Sequence, residues 1–461
     1  MQDITAVILA AGEGKRMKSK NSKLIQKICG KTLIEWVYKA VTEAGVKDCI
    51  VVVGHRADQV RECMGDKAQY ALQDERRGTG HALMAASKYF MGKGGNLVVL
   101  SGDTPLITPE TIRYAVKCHI ENGCPATVIT AEIDDPSGYG RIIRDKEGYV
   151  ARIVEQSDAS SDERLIKEIN SGIYCFAVRD LIEALSKVRD ANSQSEYYLT
   201  DVIGILSCEG KKIGAVKVRS SEEIAGINDR VQLYQASRVM QRKIAFEHMK
   251  AGVTIIDPDG AYIDDGVRIG ADTVIYPGTF IEGETVIGED CVIGPNSRIA
   301  GSVIGNGVAV DNSIILESTV GEGTRVGPFA YIRPGSSIGK GVRIGDFVEV
   351  KKSVIGDGTK ASHLAYIGDA EVGRNVNIGC GTVFVNYDGI GKYRTSVGDN
   401  AFIGSNSNLV APVAVGENGY IAAGSTITDN VPDNALAIAR ERQVVKEGWV
   451  IRKGRQRKGK D

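Results

Sequence analysis

Aliphatic residues recur at every sixth position through the second half of the chain. They form four runs: Ile263, Ile269, Ile275, Ile281, Ile287, Ile293 and Ile299; Val308, Ile314, Val320, Val326, Ile332, Ile338, Ile344 and Val350; Val372, Ile378, Phe384 and Ile390; and Ile403, Leu409, Val415, Ile421 and Ile427. A six-residue period suits neither an α-helix nor a strand with one buried face, but it is typical of short strands wound into a parallel β-helix. The pattern therefore predicts coils whose aliphatic side chains point inward, with Gly, Asn and Asp residues at the turns.

Two interruptions of this period contain residues that a scaffold does not require. They lie between Val350 and Val372 and between Phe384 and Ile403, and the first contains His363, the only histidine in the repeat region. A bare repeat fits a spacer or an oligomerisation rod as well as an enzyme, and a lone histidine is usually structural. Polar and cationic neighbours favour instead a site for a phosphorylated substrate. These neighbours are Glu349, Lys351, Lys352, Tyr366 and Asn377.

The first half of the chain alternates apolar, strand-like runs with helical stretches. Ile4 to Ala10, Cys49 to Val53, Leu97 to Leu100 and Ala126 to Ala131 are typical of strands. This order predicts an α/β, Rossmann-like domain with a mainly parallel sheet and helices on both faces. Ligands of such sheets bind at the carboxyl ends of the strands.

A glycine-rich turn follows the first of these strands, in the string Ala-Gly-Glu-Gly-Lys-Arg-Met at residues 11–17. It lacks the Lys-Ser/Thr ending of a Walker loop, and Met17 stands where a dinucleotide fingerprint needs its third glycine. Backbone donors of the turn can approach phosphate oxygens, and Lys15, Arg16 and Lys23 add positive charge. Glycine-rich turns also serve simple chain reversal.

Asp103 follows another predicted strand, in the string Ser101-Gly102-Asp103. This position directs a carboxylate into the crevice where a ligand would bind. An isolated Asp at a strand end is more often a turn former or a helix cap. Asp103 is accompanied by the glycine-rich turn and Lys23, which favours a ligand-binding role.

Between the two halves, apolar residues approximate one helical stripe, and Gly252 is a natural C-terminal stop. The stripe consists of Val231, Tyr234, Val239, Met240, Ile244 and Met249. We therefore expect an α/β domain at residues 1–229, a helical linker at 230–250 and a β-helix domain at 251–461. The last of these ends in a basic, solvated tail from Arg452 to Lys460.

Composition narrows the class of protein. The 461 residues exceed one ordinary core, and a formal net charge of −1 provides no global field to attract nucleic acid. Nine cysteines without a Cys-x-x-Cys pair argue against a disulfide framework and favour a reducing, cytoplasmic compartment. The first apolar run is too short for a signal core or a membrane span, so no membrane association is expected.

The repeat half resembles the hexapeptide acyltransferases. More narrowly, it is similar to the acetyltransferase half of the bifunctional uridylyltransferase and acetyltransferase family that makes UDP-N-acetylglucosamine. The stretches that carry the resemblance are Tyr331 to Gly335, Val348 to Lys352, His363 to Gly368, Asn375 to Gly379 and Asn386 to Gly389. It implies a left-handed β-helix, and it implies that His363 is the general base that takes a proton from the sugar amine.

The same resemblance implies the substrate contacts of this half. Arg333 and Lys351 would hold the sugar phosphate, Tyr366 and Asn377 would contact the sugar, and Glu349 would orient or tune the imidazole. Position 380 is Cys where many relatives carry Ala; without an adjacent base it is better read as a small, buried coil residue than as a nucleophile. The implied acetyl-CoA contacts are Cys380, Asn386, Tyr387, Ser405, Ala423 and Arg440.

The N-terminal half resembles the sugar-1-phosphate nucleotidyltransferases over the region to about residue 229. Its motifs are Leu9 to Met17 with Lys23, Gln73 with Gly78-Thr79-Gly80, Ser101-Gly102-Asp103, Gly138 to Arg141, Ile153 to Gln156, Ile169 to Gly172 and Gly226 to Asp229. Ser22 departs from the family, where Pro is common before the lysine, and is expected to loosen the loop. The implied UTP and UDP-N-acetylglucosamine contacts are Leu9, Ala10, Ala11, Gly12, Lys23, Gln73, Gly78, Thr79, Ser101, Gly102, Asp103, Gly140, Glu155, Asn170 and Asn228.

Taken together, the resemblances imply a bifunctional enzyme that feeds bacterial cell-wall synthesis. Acetyl-CoA would acetylate glucosamine 1-phosphate, and UTP would then donate UMP to the product with release of pyrophosphate. They also imply Mg²⁺ bound by Asp103 and Asn228, and a homotrimer with acetyl sites between chains. The alternative is a sugar-1-phosphate nucleotidyltransferase whose β-helix is only a structural or regulatory rod.

Overall fold

The structure is a computed structural model that describes residues 3–92 and 94–455. The chain forms two compact units, and the division falls between Lys243 and Ile244. Each unit has its own sheet system. No helix in the described ranges combines the length and apolar character needed to cross a bilayer.

The first unit is built on a mixed sheet with the strand order β11-β7-β10-β6-β1-β4-β5. Strands β1, β4, β5 and β6 are parallel to one another, whereas β10 is antiparallel to both β6 and β7. The strands are β1 (Ile4–Ala10), β2 (Lys27–Ile28), β3 (Lys31–Thr32), β4 (Asp48–Val53), β5 (Gln69–Leu72), β6 (Asn96–Ser101), β7 (Ala126–Glu132), β8 (Arg141–Arg144), β9 (Val150–Val154), β10 (Glu168–Ala177) and β11 (Gly214–Lys217).

Helices cover both faces of this sheet, with a separate apolar core on each side. Thr32 and Glu35 form a capping box at the start of the first helix, and Thr108 caps the helix that begins at Pro109. The helices are α1 (Leu33–Glu43), α2 (Ala57–Met64), α3 (Thr79–Phe90), α4 (Pro109–Asn122), α5 (Val178–Leu185), α6 (Thr200–Cys208) and α7 (Arg230–Lys250). Cores of this kind confirm the Rossmann-like α/β arrangement expected from the sequence.

The second unit is a left-handed parallel β-helix in which each short strand pairs with a strand one coil further along. Its strands are β12 (Thr254–Ile255), β13 (Tyr262–Ile263), β14 (Arg268–Ile269), β15 (Val274–Ile275), β16 (Phe280–Glu282), β17 (Val286–Ile287), β18 (Val292–Ile293), β19 (Arg298–Ala300), β20 (Val303–Ile304), β21 (Ala309–Val310), β22 (Ile314–Leu316), β23 (Thr319–Val320), β24 (Arg325–Val326), β25 (Tyr331–Ile332), β26 (Ser337–Ile338), β27 (Arg343–Lys351), β28 (Val354–Ile355), β29 (Lys360–Gly368), β30 (Ala370–Val372), β31 (Asn377–Ile378), β32 (Val383–Val385), β33 (Thr395–Val397), β34 (Phe402–Ile403), β35 (Asn408–Val410), β36 (Val413–Val415), β37 (Tyr420–Ile421), β38 (Thr426–Ile427) and β39 (Leu436–Ala437).

Aliphatic side chains fill the interior in three columns, one for each face of the coil. In one column Ile263 pairs with Ile281, Ile281 with Ile299, and Ile299 with Ile315. Ile281, Ile299 and Ile315 are fully buried. The hexad period of the sequence therefore corresponds to the inward positions of a β-helix, as predicted.

The predicted register is wrong at two positions. Ile314 is 40% exposed, and its neighbour Ile315 points inward, because the step from Val310 to Ile315 is five residues instead of six. Ile390 is 95% exposed in a loop between β32 and β33. Counting in strict sixes cannot detect either change.

The two predicted interruptions have different structures. His363 lies on β29, a nine-residue strand that pairs in parallel with the equally long β27. The second interruption is a true loop after β32, in which Tyr387 and Lys392 form an isolated antiparallel bridge. The first interruption therefore lengthens the sheet, and only the second projects from the coil.

Helix α7 contains the predicted linker stripe, but only part of that stripe is buried. Met240 and Ile244 are buried, whereas Val231 and Tyr234 are more than 60% exposed.

A short final helix, α8, covers Trp449–Arg452. The predicted basic tail lies outside the described residues from position 456 onward.

Candidate active sites

The first candidate site forms where two parallel strands end side by side. Leu9 of β1 is in register with Ser101 of β6, and the Gly102 N–H donates to the Leu9 carbonyl oxygen at 2.9 Å. This register brings the glycine-rich turn next to the Ser101-Gly102-Asp103 string. The Ser101 hydroxyl donates to Asp103 Oδ1 at 2.6 Å, which fixes the direction of the carboxylate.

Lys23 is buried at the centre of this site. Its ammonium pairs with Asp103 Oδ2 and donates to Asn228 Oδ1 at 3.1 Å. Gly14 has φ of 68°, and a Cβ there would lie 2.8 Å from the Cβ of Lys23, so only glycine lets the turn pass this close. Three residues distant in sequence therefore meet at one point.

Ser22 does not leave the loop loose, contrary to expectation. Its N–H donates to Gln59 Oε1 at 2.7 Å, and its hydroxyl accepts from the Leu24 N–H at 3.3 Å, capping the short 3₁₀ turn that carries Lys23. Proline in this position would lack the first of these donors. Serine thus anchors the lysine by its own hydrogen bonds.

A cavity of about 370 Å³ opens beside these groups. Glu13, Arg76 and Glu196 also line it, although none was predicted, and Arg76 forms an ion pair with Glu13. Glu13 lies inside the motif Leu9 to Met17, and Arg76 lies between Gln73 and Gly78. Their positions in the sequence could therefore have identified both residues. The predicted residues that line the cavity are Leu9, Ala10, Ala11, Gly12, Lys23, Gln73, Gly78, Thr79, Ser101 and Asp103.

Gln73 and the turn before α3 form the far wall of this cavity. The buried Gln73 amide donates to the Gly78 carbonyl oxygen at 3.2 Å. Gly78 has φ of 101°, and a Cβ there would lie 2.6 Å from the Tyr197 carbonyl oxygen. The Thr79 hydroxyl accepts from the Leu199 N–H at 3.1 Å. Amide and backbone groups held in this way can read the polar edge of a base.

The predicted sugar contacts form a second group. A Cβ on Gly140 would lie 3.5 Å from both Asn170 Cβ and Glu155 Oε2, so the three residues are neighbours. Glu155 also lines a cavity of about 830 Å³ and accepts from the Thr200 hydroxyl at 3.2 Å. Burial raises the pKa of Glu155, and this effect exceeds the opposing one of the Thr200 hydrogen bond.

The donor set at Asp103 and Asn228 fits Mg²⁺. The Ile227 N–H donates to the Asp103 carbonyl oxygen at 2.9 Å, which places Asn228 beside the carboxylate, and oxygens of both side chains converge on the Lys23 ammonium. One carboxylate and one amide leave the remaining coordination positions to water and phosphates, as Mg²⁺ prefers. Within residues 3–92 and 94–455, three or more His, Cys, Asp or Glu side chains nowhere gather into a metal site.

The second candidate site lies on the outside of the β-helix around His363. The imidazole is 60% exposed, and its Nδ1 lies 2.8 Å from Asp346 Oδ1. Glu349, which was expected to orient the imidazole, instead accepts from Arg333 at 2.9 Å. The expected partner of His363 was therefore wrong, because β27 and β29 place residue 346 opposite residue 363 and residue 349 opposite Tyr366.

A cationic cluster lies at the ends of these two strands and in the adjacent loop. Lys351 donates to Asp369 Oδ2 at 3.3 Å, and the Asn386 amide bonds to the same carboxylate and to the Tyr366 hydroxyl, the latter at 3.3 Å. The neighbouring Lys351 ammonium lowers the pKa of Lys392. Asp369 and Lys392 were not predicted, although each lies next to or near a quoted motif.

The remaining predicted residues occupy neighbouring coils. Asn377 is in register with Lys360 of β29, and Tyr387 begins the projecting loop. The other implied acetyl-CoA contacts form an exposed column, since the Asn406 N–H donates to the Cys380 carbonyl and the Gly424 N–H to the Ser405 carbonyl. Members of this column are Cys380, Ser405, Ala423 and Arg440. The expected burial of Cys380 was wrong, because the residue lies in the exposed turn after β31.

Three family models match the chain. The MobA-like NTP transferase domain matches residues 6–199, the bacterial transferase hexapeptide (six repeats) matches residues 317–352 and 394–429, and the hexapeptide repeat of succinyl-transferase matches residues 284–318. Fold and site geometry agree with these matches. The chain thus joins a nucleotidyltransferase domain to a hexapeptide-repeat transferase domain.

Curated relatives cover the whole chain and carry the name bifunctional protein GlmU. That of Acetivibrio thermocellus is 60% identical over 461 residues, covering 100% of both chains. That of Clostridioides difficile is 56% identical over 97% of each, and that of Caldanaerobacter subterraneus subsp. tengcongensis is 56% identical over 99% of this chain and 100% of its own. The chain belongs to the family of bifunctional GlmU proteins.

Membership confirms the family and the activities expected from the sequence. The chain is a bifunctional enzyme of UDP-N-acetylglucosamine synthesis, with glucosamine-1-phosphate N-acetyltransferase and uridylyltransferase activities. The β-helix is accordingly a catalytic domain. The bifunctional relatives do not support the alternative of a purely structural rod.

Proposed function

We propose that uridylyl transfer takes place in the cavity beside Lys23, Asp103 and Asn228. A phosphate oxygen of N-acetylglucosamine 1-phosphate attacks the α-phosphate of UTP; the new P–O bond forms as the bond to pyrophosphate breaks. The Lys23 ammonium and the N–H groups of the glycine-rich turn offset the charge that builds on the phosphates. This proposal is supported by the convergence of three distant side chains on one point of the cavity.

Asp103 and Asn228 would hold Mg²⁺, which when bound supplies further neutralisation of the triphosphate. Two further groups of residues would bind the uracil and the sugar. Gln73 with the Gly78-Thr79 backbone reads uracil, while Gly140, Glu155 and Asn170 contact the N-acetylglucosamine. The proximity of Gly140, Glu155 and Asn170 supports this division.

For acetyl transfer, we assign the general base to His363. The amine nitrogen of glucosamine 1-phosphate attacks the thioester carbonyl carbon of acetyl-CoA, and Nε2 of the imidazole takes the proton from that nitrogen. The C–N bond forms, the C–S bond breaks, and the imidazolium returns the proton to the departing thiolate. The imidazole suits this role because its ordinary pKa lies near neutral pH.

The cationic cluster supports a binding site for the phosphate of glucosamine 1-phosphate. Arg333, Lys351 and Lys392 present guanidinium and ammonium groups on neighbouring strands and the adjacent loop, and phosphate binds such clusters strongly. Tyr366 and Asn377 contact the sugar. Asn386 and Tyr387, with the exposed column from Cys380 to Arg440, bind acetyl-CoA. The exposed imidazole on β29, paired with the strand that carries Lys351, is the observation that carries the acetyltransferase proposal.

Two variants test both assignments in one protein. Free thiol is measured with glucosamine 1-phosphate and acetyl-CoA, and pyrophosphate with UTP, N-acetylglucosamine 1-phosphate and Mg²⁺. We expect His363→Ala to lose thiol release by about 10²-fold or more and to keep pyrophosphate release. Asp103→Asn should show the opposite pattern. Chelation of the metal should stop only pyrophosphate release.

Each variant is the folding control for the other, because the activity that remains shows that the chain is intact. Normal thiol release from His363→Ala would remove the imidazole from the mechanism. Pyrophosphate release that survives both Asp103→Asn and chelation would remove the metal site. Loss of both activities in either variant would contradict the expectation that each substitution affects only its own site.

We also propose a homotrimer, located in the cytoplasm. Exposure of the implied acetyl-CoA column supports a site completed by another chain. The nine cysteines all lie within the described residues and form no disulfide, as in a reducing compartment. Light scattering on the purified chain should give three times the 49.4 kDa chain mass. A monomeric mass with full acetyltransferase activity would contradict the shared site.

A further inference from the structure

The His363 imidazole has one carboxylate partner that the family resemblance did not indicate. Asp346 lies directly opposite it in the parallel pairing of β27 and β29, and the distance between Asp346 Oδ1 and His363 Nδ1 is 2.8 Å. This is an ordinary hydrogen-bond length between an imidazole and a carboxylate. Both side chains are substantially exposed.

The backbone on both strands is bent at the matching position. Phe347 has φ of 58° and Leu364 has φ of 26°, and each immediately follows one member of the pair. The same conformation recurs one coil before and one coil after, at Phe329 and Gly381, so it is the regular turn at this corner of the β-helix. The two bends turn Asp346 and His363 outward together at one corner of the coil.

We propose that Asp346 is the positioning residue of the acetyltransferase site: its carboxylate accepts the Nδ1–H of His363 and thereby leaves the Nε2 lone pair free for the substrate amine. This inference rests on the proposed role of His363 as the base. An ionised carboxylate only accepts hydrogen bonds, so the atom that faces it must be the protonated ring nitrogen. The hydrogen bond from His363 lowers the pKa of Asp346, which further favours the ionised carboxylate.

A role in folding stability explains the pair of Asp346 and His363 less well than a role in catalysis does. Exposed ion pairs contribute little to folding stability, so the coil does not need this one. Glu322 and Lys340 form a comparable exposed pair between adjacent coils, outside the cationic cluster. They provide a matched control for the loss of a surface carboxylate from the β-helix.

The experiment compares Asp346→Ala, Asp346→Asn and the control Glu322→Gln by the kinetics of thiol release. We expect Asp346→Ala to lower kcat by roughly 10- to 100-fold with little change in either KM, a smaller loss than that of the base itself. Asp346→Asn should retain more activity, because its amide oxygen can still accept the Nδ1–H. Glu322→Gln should match the wild type, and pyrophosphate release should be unchanged in all three.

A spectroscopic measurement separates positioning from packing. The chain has five histidines, so ¹⁵N-histidine spectra are tractable, and His363→Ala assigns the relevant signal. We expect the Nδ1–H tautomer in the wild type and its loss in Asp346→Ala. An unchanged tautomer, or an effect on KM alone, would overturn the inference.

The two proposals fail in different ways. If His363→Ala keeps acetyltransferase activity, the base assignment fails whatever Asp346 does. If His363→Ala is inactive while Asp346→Ala has wild-type kcat, the base assignment stands and only the positioning role is rejected.

Discussion

Glu155 is a carboxylate whose surroundings disfavour its charge. Burial raises its pKa, and the nearby Asp158 and Asp201 carboxylates raise it further, while the Thr200 hydroxyl opposes the shift. Such a residue lowers folding stability when ionised. Its retention beside Gly140 and Asn170 is consistent with a role in holding the sugar.

We expect Glu155→Gln to stabilise the first unit at neutral pH and to weaken sugar binding. Because the folded pKa lies above the unfolded value near 4.5, stability is fully present below that value and is lost as pH rises through the folded pKa. Thermal unfolding should therefore show a higher Tm for the variant at pH 7 and no difference below about pH 4.

The same variant should raise the KM for N-acetylglucosamine 1-phosphate by roughly tenfold, the effect of weakening one hydrogen bond to a charged group. The KM for UTP serves as the internal control and should not change. A KM for the sugar phosphate equal to that of the wild type would remove Glu155 from the sugar site.

Residue types and motif strings were sufficient to nominate most of the nucleotide cavity, but they could not identify the partner of His363. Glu349 and Asp346 are acidic residues about one coil before it in sequence, and only the register of β27 on β29 distinguishes them. Likewise, the expected looseness at Ser22 was wrong because Gln59, 37 residues away, provides the acceptor for its N–H.

At the scale of the structural element, the β-helix tolerates steps of five residues as well as six. Ile299 is followed inward by Ile304, and Val310 by Ile315. The column pairing is preserved because each strand still meets the strand one coil below. The hexad count therefore located the fold correctly and misassigned the inward residue at Ile314.

Adjacent alanine substitutions test this register. Ile315→Ala should lower the free energy of unfolding of the second unit by about 2–5 kcal/mol, because it empties a fully buried position. Ile314→Ala should cost less than about 1 kcal/mol, since that side chain is 40% exposed. Denaturant unfolding of both variants provides the comparison, and equal losses would contradict the observed register.

At the scale of the whole molecule, each proposed site is drawn from one compact unit. Lys23, Asp103 and Asn228 precede Lys243, whereas His363 and its neighbours follow Ile244. No described residue belongs to both clusters. On the proposed assignments, the intermediate N-acetylglucosamine 1-phosphate leaves one cluster and is the substrate of the other.

We expect a mixture of His363→Ala and Asp103→Asn chains to make UDP-N-acetylglucosamine from glucosamine 1-phosphate, although neither variant does so alone. Each chain retains one complete cluster, so an intermediate released to solvent can be used by the other. Product formation in the mixture is measured by chromatography. Separate activities without product from the mixture would show that the intermediate is not released.

The sequence by itself determined the two domain types and nominated the candidate site residues, because hexad spacing and glycine-rich strand ends are local patterns that chain geometry converts directly into coils and turns. Tertiary structure alone decided which distant side chains meet. Lys23 joins Asp103 and Asn228, and His363 joins Asp346, through the register of parallel strands. That register depends on packing between segments far apart in the chain, which no local pattern records.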